Sequence, residues 1–289
     1  MAFIQTRAAA WLGTAVVLFG LSAAAPVAAQ TAPEAAKQFD ETVVAKEALK
    51  DETTLNASAG GVWSAGNTKQ ITLNAGTEGR FVRGAHGIGG KAALVYGTAD
   101  TTGGGYDETA FNVNLRLRYD FYLTDYDALF GAAVYRHDRF AGLDHRAEGQ
   151  VGYQRHFFRE DKHRGWGEAG YDITVDRVYI ESVTLDAMMA PIGSVETFDW
   201  VDPVHAARLY LGYENLLNDA VTLRTGLEAL INVEEPEDTR LNWDNTLSSK
   251  LVGSLSVELG FLLQFDNVPV PGRKKVDTST KLNLVYTFI

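Results

Sequence analysis

FNVNLRLRYDF, residues 111–121, alternates without a break between two chemically opposed sets of side chains. On a strand, Phe111, Val113, Leu115, Leu117, Tyr119 and Phe121 share one face, and Asn112, Asn114, Arg116, Arg118 and Asp120 share the other. A water-soluble sandwich would bury the apolar face and wet the polar one. A transmembrane β-barrel inverts this, with hydrocarbon against the apolar face and a lumen lined by Arg, Asp and Asn, over strands of about ten residues. The choice depends on whether the pattern recurs and whether the chain is exported.

The amino-terminal residues speak for export. Arg7 precedes an apolar run from Ala8 to Leu21, followed by Pro26 and the small-residue site Val27-Ala28-Ala29. This pattern predicts a secretory leader cut after Ala29, and the run is short for an anchor helix. No later stretch approaches the apolar length of a transmembrane helix, so entry into a membrane would have to be as a barrel. With no cysteine, the chain has no disulfides and no thiolate metal sites. A formal net charge of −11 argues against nucleic acid as a partner, since phosphates need a basic footprint.

Residues 30–54 are rich in Ala, Glu and Lys and are expected to form a periplasmic linker or short helix. From Leu55 to Ile289 the sequence reads strand, turn, strand. Tight-turn signals stand near Gly66-Asn67, Gly84, Asp125, Asn218 and Gly253. Arg177 to Pro203 is the longest stretch without a pattern and is expected to be a long loop, longer than those at Thr98 to Asp107, Glu234 to Asp238 and Asn267 to Asp277. The count is about twelve strands, an even number as bacterial barrels require, and the longer connections fall on the odd, extracellular side, with His156 to Arg164 as the one long even connection. The fold class expected is all-β: one closed antiparallel transmembrane β-barrel over residues 55–289. Trp63, Tyr96, Phe121, Tyr122, Trp166, Trp243, Phe265, Tyr286 and Phe288 stand near strand ends, where interfacial girdles belong.

Three stretches carry a family resemblance: Gly60 to Thr68 (GGVWSAGNT), Leu115 to Tyr122 (LRLRYDFY) and Phe130 to Leu143 (FGAAVYRHDRFAGL). They resemble the salt-induced outer-membrane protein family, the YdiY-like group with domain of unknown function 481. The resemblance implies a barrel of the Gram-negative outer membrane with an envelope-stress role. It implies lipid and lipopolysaccharide as surroundings and the barrel assembly machinery as a partner during biogenesis. It carries over no catalytic residue. Ile289 departs from the aromatic terminal residue usual in assembly signals.

Two constellations carry candidate chemistry. The first is His137-Asp138 and Asp144-His145, flanking the Phe140 to Leu143 hairpin: imidazole and carboxylate suit a divalent metal or an activated water. Neighbours on a strand point to opposite faces, so at most half of the set is expected to converge. The plainer reading is a hairpin pinned by Asp138, Arg139 and Asp144 through charge-assisted hydrogen bonds. The second is a lumen charge network of Arg116, Arg118, Asp120, Arg136, Glu168, Asp172, Arg208, Glu214, Arg224, Glu228, Asp244, Lys250 and Glu258, joined by Glu148 and Lys281. Mixed signs can pair across strands and fill the interior, or line a narrow channel for ions or small solutes. Hydrolase, metalloprotease, Walker and dinucleotide motifs are missing from the sequence, and no cofactor is expected.

Overall fold

The computed structural model describes residues 51–65, 69–100, 104–141, 143–185, 191–269 and 274–289. The expected leader, and the linker up to residue 50, lie outside the described residues. Thirteen antiparallel strands make up the described chain: β1 (Glu52–Ser64), β2 (Lys69–Arg83), β3 (His86–Asp100), β4 (Asp107–Tyr122), β5 (Asp127–Asp138), β6 (Leu143–Arg159), β7 (His163–Leu185), β8 (Pro191–Trp200), β9 (Val204–Leu216), β10 (Val221–Asn232), β11 (Thr239–Val252), β12 (Leu255–Asp266) and β13 (Val276–Thr287). Twelve of them close a barrel: each pairs with its chain neighbour, β7 pairs with both β6 and β9, and β13 returns to β1.

The closing seam is short, running from Asn56↔Thr287 to Gly60↔Asn283. At Gly60 a side chain would collide with the Leu282 carbonyl and the Asn283 amide, so the seam closes there only because the residue is glycine. Asn74 on β2 reaches over it to Asn283 Oδ1 at 2.5 Å.

One rim carries the tight turns, and each has a chemical reason. Gly84 and Gly253 turn the chain at φ of 54° and 56°, in the left-handed region that glycine enters freely. Thr124 Oγ1 accepts from the amides of Tyr126 and Asp127 at 3.1 Å, and Asn218 Oδ1 accepts from those of Ala220 and Val221 at 2.9 Å. The opposite rim carries the longer connections.

The thirteenth strand corrects the sequence reading. Arg177 to Pro203 is expected as a loop, but β7 runs on to Leu185 and β8 pairs back along it from Arg177↔Trp200 to Leu185↔Pro191. β8 and β9 share the same edge of β7, interrupted only at Val201 to Pro203. The stretch is therefore a hairpin arm that prolongs the β7/β9 ladder past the barrel rim.

Burial is inverted relative to a water-soluble protein. The largest fully buried side chains include Arg118, Arg136 and Arg208, whereas Leu117, Leu211, Leu282 and Leu284 are exposed on the outer wall. Strand alternation sorts the two sets, polar inward and apolar outward. Two expected girdle residues depart from this. Tyr122 and Trp166 are buried inside, Tyr122 bonded to Arg80 and Trp166 lying on Gly212, where the missing side chain leaves room for the indole. Trp166 stands at the same strand parity as the inward Glu168, which fixes its direction.

Candidate functional site: the charged lumen and the rim cluster

The network begins on β4, where Arg118 donates through Nε to Asp120 at 2.8 Å and through Nη2 to Gln154 on β6 at 2.7 Å. The same Nη2 lies 2.8 Å from Glu168 Oε1 on β7. Two strands, β5 and β6, separate β4 from β7 along the wall, roughly 14 Å at ordinary strand spacing. Arg118 therefore spans the interior instead of following the wall. Local sequence makes the route: Phe130 of β5 and Gly152 of β6 are register partners, and Gly152 pairs in turn with Gly170 of β7. The Phe130 ring lies over Gly152, and the Arg118 guanidinium stands 4.2 Å above that ring.

From Glu168 the chain of contacts continues around the far wall. Arg208 on β9 donates to Glu168 Oε2 at 2.6 Å and to Glu228 Oε1 on β10 at 2.7 Å. Asn242 on β11 donates to Glu228 Oε2 at 3.0 Å, and Gln264 on β12 donates to Asn242 at 3.1 Å. Side chains of seven strands are thus linked by hydrogen bonds and ion pairs in one belt. Toward the turn rim, Glu214 is held by Arg164 and by Arg224, the latter through Nε at 3.1 Å and Nη2 at 3.0 Å. Toward the loop rim, Gln150 donates to Asp172 at 3.0 Å, Arg116 to Gln150 at 3.2 Å, and Arg146 grips Asp176 with both Nε and Nη2. Arg136 lies 3.6 Å from Asp138.

The belt does not fill the barrel evenly. Along the wall made by β9 to β13 and β1 to β3 there is a cavity of about 290 Å³ whose lining includes Glu78, Lys91, Arg224, Asp244, Glu258 and Lys281. The expected lumen residues accordingly divide. Arg118, Asp120, Glu168, Arg208 and Glu228 form the belt; Asp244, Glu258 and Lys281 face the cavity; Lys250 is exposed at the turn-rim end of β11, outside the belt. Phe130, Gln154, Asn242 and Gln264 are participants that a search for charges alone overlooks. Their inward parity is the signal that finds them.

At the loop rim, His137, Asp144 and His145 converge, each placing one potential ligand atom within 4.8 Å of the others. Asp138 does not join them: it is buried and accepts from Asn112 at 2.7 Å. The expectation that at most half of this set meets is corrected, because register shifts between Arg136 and Asp138 and between Leu143 and His145 break strict alternation. The pinning expected of the hairpin is present in other pairings, Arg139 to Glu108 at 3.2 Å and Arg177 to Asp144 at 2.9 Å.

A closed even-stranded barrel with an apolar exterior and an ionic interior defines a β-barrel of the outer-membrane type. More narrowly, the chain belongs to the family described as "Protein of unknown function, DUF481", whose model matches residues 57–288. None of the curated proteins matches it. Among solved structures it is similar to the COG4313 outer membrane channel from Pseudomonas putida F1 (TM-score 0.45, 12% identity, 84% of this chain and 98% of that one). It is also similar to the NanC porin (0.43, 10%, 82% and 100%) and to the translocator domain of autotransporter NalP from Neisseria meningitidis (0.42, 12%, 81% and 87%).

Proposed function

We propose that the protein spans the Gram-negative outer membrane as an envelope barrel whose lumen is bolted by paired charges, and that it is not a general diffusion pore. The leader is cut after Ala29, the turn rim faces the periplasm, and lipid and lipopolysaccharide surround the apolar wall. The barrel assembly machinery inserts it. Its role is structural, in the envelope's response to stress, a reading that draws on the salt-induced family resemblance. No catalytic residue is assigned. The observation that carries the reading is the path Arg118–Glu168–Arg208–Glu228, which runs across the interior from β4 to β10.

The test is conductance of purified protein in planar bilayers. The wild type should pass far less current than an open sixteen-stranded porin, and Glu168→Ala together with Arg208→Ala should raise it. Wild-type openings of porin size would overturn the reading.

One observation favours a second reading, a narrow channel for ions or small solutes. The 290 Å³ cavity is lined by Lys91, Lys281, Glu78 and Glu258, none of which belongs to the belt. Small, ion-selective wild-type currents whose reversal potential shifts in Lys281→Glu would support the channel. An unshifted reversal potential would place the current outside this cavity.

A further inference from the structure

We propose that His137, Asp144 and His145 form a binding site for a divalent first-row transition-metal ion at the loop rim, independent of whether the lumen conducts. Three donors of this kind, two imidazoles and one carboxylate, suit zinc, nickel, cobalt or copper and suit calcium and magnesium poorly, which prefer all-oxygen shells.

The groups that would orient the ligands are already in place. His137 Nδ1 hydrogen-bonds the backbone carbonyl of Asp144. A carbonyl can only accept, so Nδ1 carries a proton, and the neutral ring that a metal requires has its lone pair on Nε2. His145 has its Nδ1 against the Tyr135 hydroxyl at 2.7 Å, which leaves Nε2 facing Asp144 Oδ2 at 3.5 Å. That separation is too long for a good hydrogen bond and suits two ligands of one ion. A ligating imidazole is usually aimed in this way, by a hydrogen bond to its other nitrogen. The two rings are 5.7 Å apart, and Phe111 packs edge-on against His137.

Arg177 completes the design from the other side. It donates to Asp144 Oδ2 at 2.9 Å and anchors the carboxylate to β7. The same positive charge opposes a cation, so affinity should be moderate and should rise when Arg177 is neutralised. His137 and Asp144 are half-buried, and His145 is open on the outer surface, which leaves coordination positions for water. A bound ion would tie the end of β5 to the start of β6, beside the base of the hairpin arm.

The experiment is titration of tag-free, refolded barrel in detergent with Zn²⁺, with Ca²⁺ as the comparison. One zinc per chain is expected, with affinity at least tenfold weaker in His137→Ala and in His145→Ala. It should be tighter in Arg177→Gln and unchanged in His163→Ala, an exposed histidine paired with Glu160 elsewhere. Since the hairpin variants could fail to fold, the wild type is also loaded with Co²⁺ and its ligands read by X-ray absorption, where two imidazole nitrogens are expected. No saturable zinc binding, equal binding of calcium, full binding in the doubly substituted His137→Ala/His145→Ala protein, or an all-oxygen cobalt shell would each overturn the site.

Discussion

Arg208 meets Glu168 at 2.6 Å, and both side chains are completely shielded from solvent. The same guanidinium holds Glu228 at 2.7 Å, so one positive charge is shared by two buried carboxylates. Breaking such a pair strands an uncompensated charge, which in buried sites costs about 3–5 kcal/mol. Arg208→Ala should therefore lower the urea midpoint of the folded barrel sharply, and Glu168→Gln, which keeps an acceptor oxygen and removes a charge, should lower it less. Equal midpoints for the two variants would mean that water enters and solvates the site when the pair is broken.

The aromatic support under Arg118 gives a second expectation. A β-carbon at Gly152 would stand 2.8 Å from the Phe130 ring and 2.7 Å from the Ala169 carbonyl, and backbone cannot yield cheaply. Gly152→Ala should cost about 1–3 kcal/mol through overpacking. Phe130→Leu should lose a stacked cation worth about 0.5–2 kcal/mol while relieving no clash. The temperature at which the folded band is lost on cold SDS gels reads both, and a neutral Gly152→Ala would show that the ring is free to move.

Most of this architecture is legible in the sequence because a barrel writes two solvents into one period. Phe111 to Phe121 alternates in sequence and alternates in burial, as do the strands containing Arg208 and Glu228. Two things are not legible, for different reasons. Partner choice in the lumen, such as Arg118 with Glu168 instead of a wall neighbour, depends on the ring at Phe130 and the gap at Gly152, and no strand pattern encodes that. The hairpin arm is hidden differently: beyond the rim neither lipid nor lumen acts on a strand, so Val178-Tyr179-Ile180 carries no alternation to read. The rim histidines are visible as residue types, but their meeting rests on register shifts that spacing does not announce.

The arm should be dispensable for closure. The ladder between β7 and β9 starts at Thr174↔Val204, and β6 pairs with β7 up to Leu143↔Val178, so the backbone pairing of residues beyond these is confined to the arm, although the Phe198 ring lies 5.6 Å from the Arg177 guanidinium at its base. Replacing residues 180–199 with a short Gly-Asn turn should leave the heat-modifiable gel shift and the urea midpoint of the barrel within error of the full chain. A large loss would mean that the arm folds back onto the rim and stabilises it.

The apolar outer wall makes the sharpest demand, because a soluble barrel and a membrane barrel answer one substitution oppositely. Leu211 lies near the middle of β9 and points outward, and Leu251 points outward at the turn-rim end of β11. If hydrocarbon covers that wall, Leu211→Arg should cost about 2–4 kcal/mol at the midplane, while Leu251→Arg should cost about 0–1 kcal/mol near the interface. If water covers it, both arginines are solvated and neither is costly. Refolding each variant into lipid vesicles and measuring the urea midpoint separates the cases. A cost that is equal at the two depths would remove the membrane from the account.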